Sequence, residues 1–244
     1  MKPFLSLLFL VLLTVSCTDD AVLTFVPKEY HADTCEGCPT VEVNLPEASN
    51  GDAASNHINA ALQEVAIATL SPLEETEVSS IDEAIDQFKK QFDELKEDYE
   101  QAVPWEVTLD GEVSYQSESM VSIRLNSYSF TGGAHGYGAT SFVNFDAMTG
   151  EQLEVEDLFS DLDEFTSYCE QLFRAQEHIA PERNINATGF FFEGDAFHLP
   201  ENIGFTENGL LLIYNAYEIA SYADGQKMVE IPLAEASKFL KKLQ

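Results

Sequence analysis

The sequence predicts an α+β fold of small antiparallel sheets, each faced by amphipathic helices, arranged as two sub-domains. Three observations predict it. Residues 81–102 carry apolar side chains spaced by four and three, the period of a helix with one buried face. Residues 105–130 switch to alternation by two, the period of half-buried strands. After residue 150 a further helix is followed by short strands cut by Gly, Asn and Pro. The resulting boundaries are 1–16 for an export signal, 17–30 for a tether, 31–138 for an N-terminal domain and 139–244 for a C-terminal domain.

In chain order, Val22–Val26 reads as an edge strand. In Thr40–Leu45, Val41, Val43 and Leu45 alternate with Thr40, Glu42 and Asn44, a strand with one wet face that Pro46 closes. Asn50-Gly51-Asp52 opens a first helix with Ile58, Leu62, Val65 and Thr69 on one side, and Pro72 ends it. Ser80 and Glu83 form the spacing of a capping box. Behind it Ile81, Ile85, Phe88, Phe92, Leu95, Tyr99 and Ala102 make one stripe, which suits a helix lying on its own sheet better than a coiled-coil partner. Trp105–Leu109, Gly111–Ser117 and Met120–Phe130 read as strands, with hairpin turns at Asp110-Gly111 and Ser117-Glu118-Ser119.

The glycine-crowded stretch Thr131–Gly138 comes next, then a hairpin from Ala139 to Val155 that turns at Asp146–Gly150. Ser160 and Asp163 predict a cap for a helix with Leu162, Phe165, Cys169, Leu172 and Phe173 on one face. Phe190–Phe192, Ala196–Leu199, Gly209–Tyr214 and Lys227–Ile231 read as short strands, with a hairpin turn at Asn208-Gly209. A closing helix is expected over Leu233–Leu243, with Lys238, Lys241 and Lys242 where they complement its dipole.

Two stretches are candidates for function. In the first, Gly132 and Gly133 stand beside His135, giving the backbone unusual freedom and room for a ligand or a strand to approach. A strand rather than a helix comes after it and no lysine is near, so phosphate binding is excluded. A general base needs a partner, and neither G-x-S-x-G nor any nearby nucleophile motif is present. Two readings stand open for His135: a ligand contact, or a ring that satisfies backbone groups at a strand crossing. The second stretch holds Tyr214, Tyr217 and Tyr222 directly after an apolar strand. Tyrosine offers contact area at low entropic cost, so these rings either line a groove or pack between sheet and helix.

Metal and cofactor chemistry find no support. H-E-x-x-H and the EF-hand loop are absent, the histidines are scattered, and no cofactor is expected. Cys35-Glu36-Gly37-Cys38 lacks the βαβ context of a redox motif and reads as a small structural disulfide. Cys169 reads as an inert core thiol, with a bridge to Cys35 or Cys38 as the runner-up.

The address is the bacterial envelope. Lys2 followed by the apolar run Phe4–Val15 is a signal peptide, too short to span a bilayer. Thr14-Val15-Ser16-Cys17 resembles a lipobox, with Leu13 one place further back than usual, so Cys17 is the expected lipidation site. A lipid anchor there would be the only membrane attachment, at the outer membrane or cell surface. Thr18-Asp19-Asp20 resembles the acidic export signal of surface lipoproteins in the Bacteroidota. The chain has 43 acidic against 12 basic residues, a net charge of −31. Such a surface repels nucleic acid and attracts basic partners.

A CxxC-Pro followed by a strand, two amphipathic helices and Thr131-Gly132-Gly133-Ala134-His135 together resemble the extracytoplasmic domain of RsiV-type anti-sigma factors and PdaC-type peptidoglycan deacetylases. The later part, with Phe145-Asp146, Leu158-Phe159, Tyr214-x-x-Tyr217-Glu218-Ile219-Ala220 and Gly225, resembles the domain of unknown function that often follows it. The resemblance implies an α+β fold and, through the RsiV-type members, lysozyme binding. In the deacetylases the catalytic metal site lies in a separate domain, which this chain is expected to lack, along with a cytoplasmic anti-sigma segment and a transmembrane helix. No catalytic residue is therefore carried over. The expectation is a non-enzymatic lipoprotein that binds a basic protein such as lysozyme. Peptidoglycan binding or a periplasmic scaffold is the alternative, and an enzyme using His135 ranks last.

Overall fold

The structure, a computed structural model, describes residues 22–71 and 78–241. The export signal, Cys17, Pro72 and Lys242 lie outside those residues. Among the described residues no helix is long and apolar enough to cross a membrane.

The order of elements is β1 (Phe25–His31), β2 (Thr40–Ala48), α1 (Ala53–Leu70), α2 (Ile81–Asp98), β3 (Glu106–Gln116), β4 (Met120–Phe130), β5 (Tyr137–Asp146), β6 (Gln152–Leu153), α3 (Val155–Leu158), α4 (Leu162–Gln176), β7 (Asn202–Phe205), β8 (Gly209–Tyr214), β9 (Lys227–Pro232) and α5 (Leu233–Ala236). Strands β1 to β6 form one sheet in sequence order, and β7 to β9 form a second. The fold is α+β. All pairs are antiparallel except β2 and β3. A parallel pair needs a long crossover, and α1 with α2 supply it.

Both helices lie on one face of the first sheet. Asp52 caps α1 by accepting the Ser55 N–H at 2.8 Å. Ser80 caps α2 by accepting the Glu83 N–H at 3.2 Å, while the Glu83 carboxylate takes the Ser79 N–H and hydroxyl rather than the Ser80 N–H. The α2 stripe is buried in its own domain. Phe88 and Phe92 pack on Trp105 at 5.3 and 5.8 Å, and Val41, Val43, Val107, Leu109, Ile123 and Phe145 close the core beneath. A second core joins α4 (Phe165, Cys169, Phe173) to the second sheet (Leu210, Leu212, Tyr214, Ile231).

Several local expectations are corrected. Asp110-Gly111 is not a hairpin turn. It lies inside β3, where Asp110 pairs with Asn44 on one side and Asn126 on the other. The edge strand begins at Phe25 and runs through Pro27, and β2 continues through Pro46, which pairs with it. Asp161 rather than Ser160 caps α4, accepting the Glu164 N–H at 2.9 Å, because Ser160 is engaged with the Phe239 carbonyl. The closing helix stops at Ala236, since Phe159 and Leu240 form a β-bridge that takes the backbone groups a longer helix would use. Residues 190–199 form no strand. The Asn186 amide holds both the N–H and the C=O of Phe192, at 2.7 and 2.9 Å, and side-chain bonds of this kind divert a chain from ladder pairing. The strand that does form there is β7, which supplies the N-terminal arm of the Asn208-Gly209 hairpin.

The two sheets meet where β7 lies on the open face of β4 and β5. Buried Ser122 donates to Asn144 at 2.8 Å, Asn144 donates to the Ile203 carbonyl at 2.8 Å, and the Phe205 N–H returns to Ser122 at 3.0 Å. Ser114 closes the set on the Phe205 carbonyl at 2.7 Å. Gly204 sits directly on Phe142, and a Cβ there would overlap the ring. Gly204→Ala should therefore destabilise the chain by about 1–3 kcal/mol, the usual cost of overpacking. Thermal melting should show the loss, and the double substitution with Phe142→Ala should recover part of it. A Gly204→Ala chain that melts like wild type would show that the seam yields freely.

Candidate functional site

The seam continues from β7 to the two stretches singled out in the sequence. The loop 131–136 joins β4 to β5, with Gly132 and Gly133 exposed at φ 104° and 95°. Those values suit glycine and account for its presence at both positions. Gly136 is buried instead, held so closely under Tyr128 that a Cβ would meet the ring. Its carbonyl accepts the Tyr222 hydroxyl at 3.2 Å and lies 2.9 Å from Nδ1 of His135. A carbonyl only accepts, so Nδ1 is the donor in this contact.

His135 is exposed and stacks on Tyr222, with ring centroids 4.3 Å apart and planes 20° apart. Tyr222 in turn contacts Tyr217 at 5.4 Å. Tyr137, next in the chain after Gly136, donates its hydroxyl to the Ala216 carbonyl at 3.2 Å. The Phe191 N–H donates to the Ile219 carbonyl at 3.0 Å, which ties residues 190–192 to the tyrosine loop. His135, Tyr217 and Tyr222 are thus gathered into one aromatic patch, and Tyr137 adjoins it through Ala216.

Tyr214 does not belong to that patch. It is 0% exposed, surrounded by Phe173, Phe192 and Phe197, and its hydroxyl donates to the His198 carbonyl at 2.6 Å. Burial pushes its phenol well above the ordinary tyrosine range. Tyr214 follows the inward alternation of β8, whereas Tyr217 and Tyr222 lie in the turns after it. Both readings of the tyrosine run therefore apply, to different residues.

The loop is pinned by Asn215, 8% exposed, whose side chain accepts the Thr140 N–H at 2.9 Å and donates to the Thr140 carbonyl at 3.0 Å. It pairs with β5 as a strand backbone would. Glu218 folds back to accept the Asn215 N–H at 2.8 Å. Its burial raises the carboxyl pKa. Partial burial, and then the same carboxylate, raise that of Tyr137.

Cys35 and Cys38 are joined by a disulfide at the exposed turn between β1 and β2, away from the patch. Cys169 is free and buried, and burial pushes its thiol up to about 12. Among the described residues no group of three or more His, Cys, Asp or Glu side chains is placed to share a metal ion.

Residues 32–137 match the family model described as Deacetylase PdaC, and residues 156–234 match the model described as a protein of unknown function, DUF3298. The chain carries a PdaC-type domain followed by a DUF3298 domain. A crystal structure of a DUF3298 family member from Bacteroides fragilis aligns with a TM-score of 0.66 at 20% identity, over 91% of this chain and 94% of that one. A DUF3298 family protein from Pseudomonas aeruginosa aligns with a TM-score of 0.64 at 22% identity, over 92% and 96%. Both share the fold. No curated protein matches the chain.

On this division His135 and Tyr137 fall in the PdaC match, whereas Tyr217 and Tyr222 fall in the DUF3298 match. The patch is built by both domains. Sequence reasoning missed Tyr137. Asn215→Ala should cost about 2 kcal/mol in a denaturant titration, because it strands a buried donor and acceptor of Thr140. Asn126→Ala, which removes a single part-buried side-chain bond to the same threonine, should cost less, about 1 kcal/mol.

Proposed function

We propose that this chain is a non-enzymatic binding module of the bacterial envelope, anchored by lipid at Cys17, that captures a strongly basic protein of the lysozyme kind. The domain pair points to an extracytoplasmic binding module. The observation that carries the finer reading is the aromatic patch. Of the ten exposed large apolar side chains among the described residues, Tyr137, Tyr217 and Tyr222 come from two separate segments and gather in one place. Tyrosine-rich patches are typical centres of protein interfaces, and aromatic faces attract cations.

The charge of −31 supplies long-range attraction for a basic partner. The three lysine–aromatic contacts among the described residues lie elsewhere, on Tyr30, Phe92 and Phe190, so none of them occupies the rings of the patch. His135 serves as a platform for Tyr222 rather than as a base, since its contacts are a backbone carbonyl and a ring.

Calorimetric titration of residues 18–244 with a c-type lysozyme, at about 50 and about 300 mM salt, tests the reading across a several-fold change in screening. Saturable one-to-one binding that survives the higher salt and is lost on Tyr222→Ala is expected. Binding at low salt only would reduce it to charge attraction. No binding to lysozyme, with salt-insensitive binding to soluble peptidoglycan fragments that Tyr222→Ala removes, would transfer the same patch to a glycan.

A further inference from the structure

We infer that Tyr217 is the anchor of the binding surface, the ring that takes a lysine or arginine side chain of the partner, and that the fold accepts a strained backbone to present it. The inference rests on the reading of the patch as a protein-capture surface. Residues 215–218 form a turn closed by the Glu218 N–H on the Asn215 carbonyl at 3.1 Å. Tyr217 occupies the third position of that turn with φ 72°. A β-turn with positive φ at this position normally holds glycine or asparagine, because a Cβ there crowds the backbone.

Two other described non-glycine residues have positive φ, His178 and Asp195, and both are of types that tolerate it. Tyrosine is not. Burial offsets little of that strain, for Tyr217 is 53% exposed. Strain held at an exposed aromatic marks a position kept for contact. The surroundings name the contact. Tyr217 and Tyr222 lie 5.4 Å apart with planes 31° apart, a paired aromatic face. Glu218 beside it is folded back onto the Asn215 N–H, which leaves the Tyr217 ring as the exposed group of the turn. Aromatic faces on a chain of net charge −31 complement a guanidinium or ammonium group.

The test uses Tyr217→Asn and Tyr217→Phe in residues 18–244, melted alone and titrated with a c-type lysozyme at about 150 mM salt, where screening is physiological. Asparagine accepts the turn's conformation without the ring, so Tyr217→Asn should melt at or up to about 4 °C above wild type. Its lysozyme affinity should fall about ten-fold or more. Tyr217→Phe, which keeps both ring and strain, should melt as wild type does and bind within about two-fold of it. If Tyr217→Asn melts below wild type, the ring holds the turn and the inference fails. If it binds as wild type does, Tyr217 is not the anchor, while the capture reading stands. A wild-type chain that does not bind lysozyme removes that reading, and the anchor role with it.

Discussion

The close approach of β7 to β5 is the constraint on which the rest of the molecule depends. The second sheet meets the first on a face that already carries Ser122, Asn144 and Thr140, polar groups whose burial is costly unless each finds a partner. Gly204 lets the β7 backbone come near enough for the Ile203 carbonyl and Phe205 N–H to reach Asn144 and Ser122. The register of β4 with β5 then orders the rows along the same face: Ser122 opposite Asn144, Arg124 opposite Phe142, Asn126 opposite Thr140, Tyr128 opposite Gly138. The first three rows meet the second domain in turn, through Ile203 and Phe205, Gly204, and Asn215. The aromatic patch stands at the far end of this line, so its geometry is inherited from contacts that begin at β7.

Directional bonds at the seam do what apolar packing alone would not. Apolar contact tolerates sliding, whereas a carboxamide that pairs with both backbone groups of Thr140 fixes position and angle. The loop after β8 is held to β5 in this way, and Tyr222 and Tyr137 then cross-link the two domains through Gly136 and Ala216 carbonyls. A surface composed by two domains is coherent only while they remain docked. That explains why so many side-chain amides are concentrated along one seam.

Much of the fold could be read from the chain because its signals are local. The Ser80 cap, the four-three stripe of α2, the Asp146–Gly150 turn and the Asn208-Gly209 hairpin each lie within a few residues of the structure they specify. The misread features share one property, that a distant partner decides them. Asp110-Gly111 has the local chemistry of a turn, yet Asn44, 66 residues away, bonds its aspartate at 2.7 Å and the strand runs straight. The parallel pairing of β2 with β3 and the bridge that ends α5 are likewise set by elements far off in sequence. Both halves of the candidate site were visible as motifs. That they meet was not, because Gly136 and Tyr222 are 86 residues apart and no periodicity encodes a contact at that distance.

The acidic surface belongs to the same account. Among the described residues only three ion pairs form, and that of Lys90 with Glu94 is largely exposed, the kind that contributes little. The charge therefore does not hold the fold together; self-repulsion opposes folding, and the two apolar cores and the buried seam must outweigh it. A chain that keeps so large an excess of carboxylates, and a tyrosine in a glycine position, carries two burdens that its own packing does not require. A cationic partner would relieve the first by neutralising field and would give the strained tyrosine the contact its turn presents it for. One class of ligand answers both, which favours a basic protein over a neutral glycan, since a glycan would answer only the second.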